Sequence, residues 1–156
     1  MQAAAPVTVR RVIQGMLAAW FALGCAAAGA DDAAARRARV DYLLHCSGCH
    51  GTDGLGKPEK GIPRFTGQVG HFLQLPEGRA FVMQVPGLLG VRLPDDRAAA
   101  VTNWMLRQFA GASLPADFVP YTADEARRHR ESRPVDVIGR RDELYRALLA
   151  RGLVIQ

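Results

Sequence analysis

The segment YLLHCSGCHGTDGLGKP, residues 42–58, places two cysteines and a histidine within five positions. Cys46 and Cys49 are separated by two residues, and His50 follows directly. The residues before Cys46 have helical character, whereas several glycines and a proline follow His50. Reactive side chains therefore stand where a helix gives way to an irregular loop.

Three kinds of site use a pair of cysteines with this spacing. A zinc site needs four ligands, and the other histidines of the chain are badly spaced to complete one. A thioredoxin-like dithiol follows a strand, whereas the residues before Cys46 predict a helix. The third interpretation is the C-x-x-C-H motif, at which a c-type haem is attached. A plain disulfide between Cys46 and Cys49 is the structural alternative.

The C-x-x-C-H interpretation has a clear chemical basis. Each thiol adds to one vinyl group of haem, and the two intervening residues let both sulfurs reach the edge of one flat ring. His50 then supplies an imidazole nitrogen as the proximal iron ligand. The sequence therefore predicts one covalently attached haem c, tethered by Cys46 and Cys49.

The longer segment HCSGCHGTDGLGKPEKGIPRFTG resembles the haem region of class I c-type cytochromes, especially the small exported monohaem ones. The later VTNWMLRQF is similar to the final helix of that family, so that the resemblance covers roughly residues 36–111. It implies an all-α, cytochrome c-like helical domain around the haem, with electron transfer as its function. It also implies that Pro63 offers its carbonyl to the second nitrogen of the proximal imidazole.

The second axial ligand of the iron is left open by the sequence. A methionine thioether there would raise the reduction potential, which suits electron transfer. In the family this methionine usually lies in the loop before the final helix, and Met83 has about that position. Met105 lies within the final helix, where a methionine more often fills a core. Met83 and Met105 are both candidates for the distal ligand, and His71 is a third.

Two helices are expected to enclose this region. Residues 33–45 predict a helix that delivers Cys46, with an apolar stripe that packs against Trp104 of the final helix. The final helix is predicted within LPDDRAAAVTNWMLRQFAG, because proline and aspartates favour its start and glycine its end. The apolar stripe consists of Val40, Leu43 and Leu44.

Residues 112–156 predict a short, charged helical C-terminal extension. Thr122 with Glu125 three positions later forms a capping-box pattern. A second helix follows, and its leucines are expected to lie on one side. We expect the extension to wrap over the core, and a docking arm is the alternative. The leucines are Leu144, Leu148 and Leu149.

Residues 1–30 have the order of features typical of a signal peptide. Arg10 and Arg11 precede an apolar run that is too short to span a bilayer, and small residues lead to Ala30. Cleavage near Ala30 would leave a haem domain at residues 31–111 and place the protein in the periplasm. Membrane association is expected only if Cys25 carries a lipid.

Composition narrows the function further. The 156 residues are 49% hydrophobic and 22% charged, which is ordinary for one globular domain, and the net charge is +5. The arginines are interspersed with acidic residues and form no basic stripe with aromatics, so no nucleic-acid partner is predicted. No catalytic base, nucleophile or carboxylate pair is evident, so the chain is not predicted to be an enzyme.

These observations predict a periplasmic monohaem cytochrome that passes single electrons between a dehydrogenase and a later acceptor, such as a downstream cytochrome or oxidase. Two alternatives remain open at the level of sequence. One is a haem sensor or small peroxidase with an open distal site. The other is a cytochrome subunit of a dehydrogenase complex, with residues 112–156 as the interface.

Overall fold

The structure, a computed structural model, describes residues 31–153 and residue 155. Contacts divide the chain into two units, residues 1–36 and residues 37–156. Residues 31–45 are helical, and α1 denotes the part from residue 37 onward, which belongs to the second unit. The predicted signal peptide and Cys25 lie outside the described residues.

The second unit is helical throughout its regular elements, and no strand forms within residues 37–153. An isolated bridge between Lys57 and Ile62 closes one turn of a loop. The predicted all-α fold class is confirmed. After α1 the helices are α2 (Ser47–His50), α3 (Pro76–Val82), α4 (Pro86–Gly90), α5 (Asp95–Phe109), α6 (Ala123–Glu131) and α7 (Val137–Leu149), with 3₁₀ turns at Pro58–Lys60, Val69–Gln74 and Gly111–Ser113.

Helix α5 forms where the sequence predicts the final helix of the haem domain. Pro94 precedes its first residue, and Asp95 and Asp96 occupy the first turn, where carboxylates interact favourably with the helix dipole. Its buried face extends from Ala98 to Phe109 and lies in the centre of the core. Helix α6 and the Val69–Gln74 turn pack against α5, whereas α7 packs against α3 and that same turn.

The predicted apolar stripe of α1 is wrong. Val40 and Leu44 are 50% and 71% exposed, and Leu43 is also exposed. The buried face of α1 carries Tyr42 instead, whose ring lies 5.3 Å from that of Trp104. Trp104 thus contacts α1 as expected, but through an aromatic side chain that the pattern of aliphatic residues did not single out.

A buried ion pair explains why the other face of α1 turns inward. The Asp41 side chain is 1% exposed and accepts hydrogen bonds from Arg97 of α5, including one of 3.0 Å from Nε. A buried carboxylate needs such a partner, because leaving it unpaired is strongly destabilising. Since Arg97 stands 56 positions away, the short-range pattern around residue 41 contains no sign of this pair.

The C-terminal extension packs on the same core as α5. Thr122 caps α6 by accepting a hydrogen bond from the backbone N–H of Glu125, as predicted. Leu144 and Leu148 of α7 are buried in the core, whereas Leu149 is 53% exposed, so the predicted three-leucine face is wrong for Leu149. Within the described residues, no helix is long and apolar enough to cross a membrane.

Candidate haem-attachment site

Helix α1 leads directly into the short helix that carries the C-x-x-C-H motif. The N–H of Cys46 still bonds to the carbonyl of Tyr42, and Cys46 is the residue that precedes α2. The hydroxyl of Tyr42 donates a 2.7 Å hydrogen bond to the carbonyl of Gly51, just past His50. Because Tyr42 is buried, both ends of the motif are fixed to the core side of α1.

The two thiols have different surroundings, although they are only three positions apart. Cys46 is half-buried, Cys49 is exposed, and both are free thiols. Burial, together with the negative charges of Asp41 and Cys49, raises the pKa of the Cys46 thiol to about 11. A redox dithiol relies on a low-pKa thiolate, so the environment of Cys46 does not favour that alternative.

His50 is oriented by two contacts from the loop that follows it. Its Nδ1 lies 3.1 Å from the carbonyl oxygen of Pro63. Phe65 stacks almost flat on the imidazole, with the ring centroids 3.9 Å apart. Since a carbonyl oxygen can only accept, Nδ1 carries the hydrogen and Nε2 keeps its lone pair for a metal.

Burial lowers the pKa of His50 below its usual value, and the hydrogen bond to Pro63 opposes this effect only in part. The neutral imidazole is therefore favoured in the folded chain. A neutral imidazole is the form that binds a metal. The environment of His50 thus matches what a proximal ligand needs.

Glycines allow the loop after His50 to return to the imidazole. Gly56 has a φ of +63°, and a Cβ placed on it would lie 2.5 Å from the carbonyl oxygen of Pro63. This is the same oxygen that faces His50 Nδ1. Only glycine therefore fits at position 56 without moving the acceptor away from the histidine.

We expect Gly56→Ala to disturb the histidine more than an equivalent change at Gly61. Gly61 has a similar φ of +76°, but an added Cβ there would meet nothing within 4 Å. Both variants should lose about 1–2 kcal/mol from the left-handed backbone, and Gly56→Ala about 1–3 kcal/mol more from overpacking. Denaturant unfolding of the haem-loaded protein measures both losses. Equal losses in the two variants would contradict the close approach of the Pro63 carbonyl to position 56.

The residues around the motif fit a haem by the chemistry of their donors. Cys46 stands at the start of α2, and Cys49 and His50, with a bare Nε2, lie within it. The Nε of Arg64 is buried with no hydrogen-bond partner in the described structure. A carboxylate would satisfy this guanidinium, and haem carries two. By contrast, no cluster of three or more metal-binding side chains exists among the described residues, which does not favour the zinc interpretation.

The two candidate distal methionines are both core residues. Met83 is completely buried and caps the C-terminal end of α3, where the chain enters the turn to α4. Met105 is 8% exposed and lies within α5 between other buried residues of the same face. His71, the third candidate, lies in a 3₁₀ turn with its Nδ1 3.4 Å from the Gln74 amide.

Comparison with known proteins agrees with this geometry. Two curated relatives, both named cytochrome c-552, come from Thermus thermophilus, the second from a particular strain of that species. Each is 29% identical to this chain in an alignment of 119 residues, and the match covers 64% of this chain and 90% and 80% of the respective relatives. These distant relatives support a c-type cytochrome. The similarity implies a haem cofactor and supports a part in electron transfer.

Two further comparisons found no match. No family model matches the chain, and no solved structure does. The resemblance to c-type cytochromes therefore depends on the curated relatives together with the motif, and the roles of individual side chains stay predictions.

Several contributors to the site were not found from the sequence. Phe65 was not singled out, although its position two residues after Pro63 could have suggested contact with the same imidazole. Arg64 gave no signal apart from its place beside Pro63. Tyr42 stood in the opening segment, but nothing local indicated that its hydroxyl would bond to Gly51.

Proposed function

We propose that this cytochrome is a periplasmic monohaem electron carrier that passes single electrons from a dehydrogenase to a later acceptor, a downstream cytochrome or oxidase. The observation that carries the proposal is the C-x-x-C-H turn in which Pro63 orients His50 through Nδ1 and leaves Nε2 for iron. A bound haem c supplies the one-electron iron couple at this site.

Different residues of the chain would hold different parts of the haem. Cys46 and Cys49 would form the two thioether bonds, and His50 would be the proximal ligand. Arg64 would pair with a carboxylate at the edge of the haem, because its Nε is otherwise buried without a partner. The Pro63 carbonyl increases the basicity of the imidazole, which favours the oxidised iron and so lowers the reduction potential.

We propose Met83 rather than Met105 as the distal ligand. Met83 stands at the end of α3, where the backbone leaves the helix, in the segment before α5 where the resembling family carries its methionine ligand. Met105 has helical neighbours on both sides, and its face of α5 is occupied by Thr102, Leu106 and Phe109. A thioether ligand holds the iron low-spin, as single-electron transfer with little rearrangement requires.

Export is proposed from the leader-like residues 1–30, and one haem from the single C-x-x-C-H motif of the sequence. The haem-loaded protein should accumulate in the periplasmic fraction with its N-terminus near Asp31. Intact mass spectrometry under denaturing conditions should give the mass of residues 31–156 plus one haem. A mass that includes Met1, or a lipid on Cys25, would contradict simple export and cleavage near Ala30.

A further inference from the structure

The turn that contains Met83 is held on both sides by the C-terminal extension. Four residues before Met83, Arg79 donates to both carboxylate oxygens of Glu125, at 2.6 and 2.8 Å. One residue after it, the amide of Gln84 donates to the carbonyl and hydroxyl oxygens of Ser132, at 2.9 and 3.1 Å. Glu125 and Ser132 stand at opposite ends of α6, so that one helix spans the whole segment.

These contacts are shielded from water. The side chains of Arg79 and Glu125 are 24% and 18% exposed, and Gln84 is 8% exposed. One face of the Arg79 guanidinium is covered by Tyr121, whose ring centroid lies 4.1 Å away and whose hydroxyl donates to the Arg79 carbonyl. Charge-assisted hydrogen bonds in such surroundings are worth more than exposed ion pairs.

The extension is itself fastened to α5, so it can act as a support rather than as a loose cover. Asn103 of α5 exchanges two hydrogen bonds with the backbone of Tyr121, at 2.8 and 2.9 Å. Arg130 of α6 donates to the carbonyl of Leu93 and to Asp95, at the start of α5. Segment 121–132 therefore connects the central helix to both flanks of Met83.

We propose that the C-terminal extension positions the distal ligand: Glu125, through Arg79, and Ser132, through Gln84, hold the Met83 turn at a fixed place relative to α5. The proposal rests on the proposed role of Met83 as the distal ligand. Glu125 and Ser132 are positioning residues, because they act on the iron only through the segment that carries the sulfur. A thioether is a weak axial ligand, so freedom in this turn makes it easier to displace.

Competition with imidazole tests this role on the purified ferric holoprotein. Added imidazole displaces a thioether from the iron, and its apparent affinity reports how firmly the sulfur is held. Glu125→Gln weakens the bidentate contact, and Gln84→Leu removes both bonds to Ser132. Each should raise the imidazole affinity about fivefold, corresponding to about 1 kcal/mol of lost ligand positioning.

The matched control is Glu131→Gln, the same chemical change on the same helix. The Glu131 side chain is 65% exposed and pairs with Arg127 at 3.7 Å, whereas the contact with Gln84 is made by the backbone and hydroxyl oxygens of the next residue, Ser132. Its imidazole affinity should equal that of the parent protein. Melting temperatures recorded on the same samples separate positioning from simple stabilisation, since an exclusively structural role lowers the melting temperature and leaves the imidazole affinity unchanged.

Unchanged affinity in both Glu125→Gln and Gln84→Leu overturns the positioning role, while the assignment of Met83 as ligand stands if Met83→Leu abolishes the methionine–iron absorption band. If Met83→Leu retains that band, Met83 is not the ligand, and the positioning role falls with it. The electron-carrier function is then judged separately by a redox titration. Higher affinity in both variants, with no change in Glu131→Gln and loss of the band in Met83→Leu, supports the proposal.

Discussion

Replacing either Cys46 or Cys49 by alanine is expected to remove most of the haem-loaded protein. Each thioether contributes one covalent bond to the cofactor, and no third cysteine exists among the residues that follow the predicted leader. The parent protein should retain haem through acid–acetone extraction and denaturing electrophoresis. Haem staining of the gel, normalised to the amount of polypeptide, measures the loss in each variant.

Ser47→Ala provides the control for this change. Ser47 lies between the two cysteines and donates its hydroxyl to the Leu43 carbonyl on an exposed surface, so its replacement alters the motif without removing a sulfur. Its haem content should match that of the parent. Free extraction of haem from the parent protein would show that the C-x-x-C-H interpretation is wrong.

Replacing Met83 by leucine should change the iron site with little effect on stability. The substitution conserves apolar volume and should cost less than about 1.5 kcal/mol of unfolding free energy. It removes the proposed sulfur ligand, so the methionine–iron band at the red end of the ferric spectrum should vanish and the reduction potential should fall. Absorption spectroscopy and potentiometry of the purified holoprotein measure both effects.

Met105→Leu is the matched control, because it removes the other buried methionine sulfur of the described core. Met105→Leu should keep the methionine–iron band and the reduction potential, and should lose only a small amount of unfolding free energy from altered packing. The opposite result, with the band lost at Met105 and kept at Met83, would move the ligand into α5. Retention of the band in both variants would exclude a methionine ligand, and His71 would be the next residue to replace.

The parts of this structure that the sequence predicts well are those with local signals. The Pro94–Asp95 start of α5 and the Thr122 cap of α6 depend on residues within one helical turn, and both occur as expected. The cysteine spacing likewise predicts the attachment motif from neighbouring residues alone. The resemblance to c-type cytochromes also implied that the Pro63 carbonyl would lie near the imidazole, and the structure places it 3.1 Å from Nδ1.

The parts of the structure that the sequence predicts poorly depend on partners far away along the chain. The face of α1 that turns inward is set by Arg97, which pairs with Asp41, and by Trp104, which contacts Tyr42. The local pattern instead favoured Val40 and Leu44, which are exposed. A helix with apolar residues on two sides buries the side for which the rest of the fold supplies partners, and periodicity alone does not reveal those partners.

The C-terminal extension shows the same limit. Its helices could be predicted from their caps and leucines, but its contacts with α3 join residues 46 and 48 positions apart. Nothing in the sequence near Gln84 indicates that its amide is buried against Ser132. Long-range packing decides whether the extension wraps over the core or projects as a docking arm. Segment 121–132 packs against the core through its contacts with Arg79, Gln84 and Asn103.

A spectroelectrochemical titration of the purified holoprotein tests the central claim most directly. An electron carrier with His50 and a thioether on the iron should show one reversible one-electron transition, with a low-spin, six-coordinate spectrum in both oxidation states. Added carbon monoxide should leave the reduced spectrum essentially unchanged on the time scale of electron transfer. A high-spin, five-coordinate ferric spectrum with rapid carbon monoxide binding after reduction would contradict the account and indicate a haem sensor or peroxidase with an open distal site.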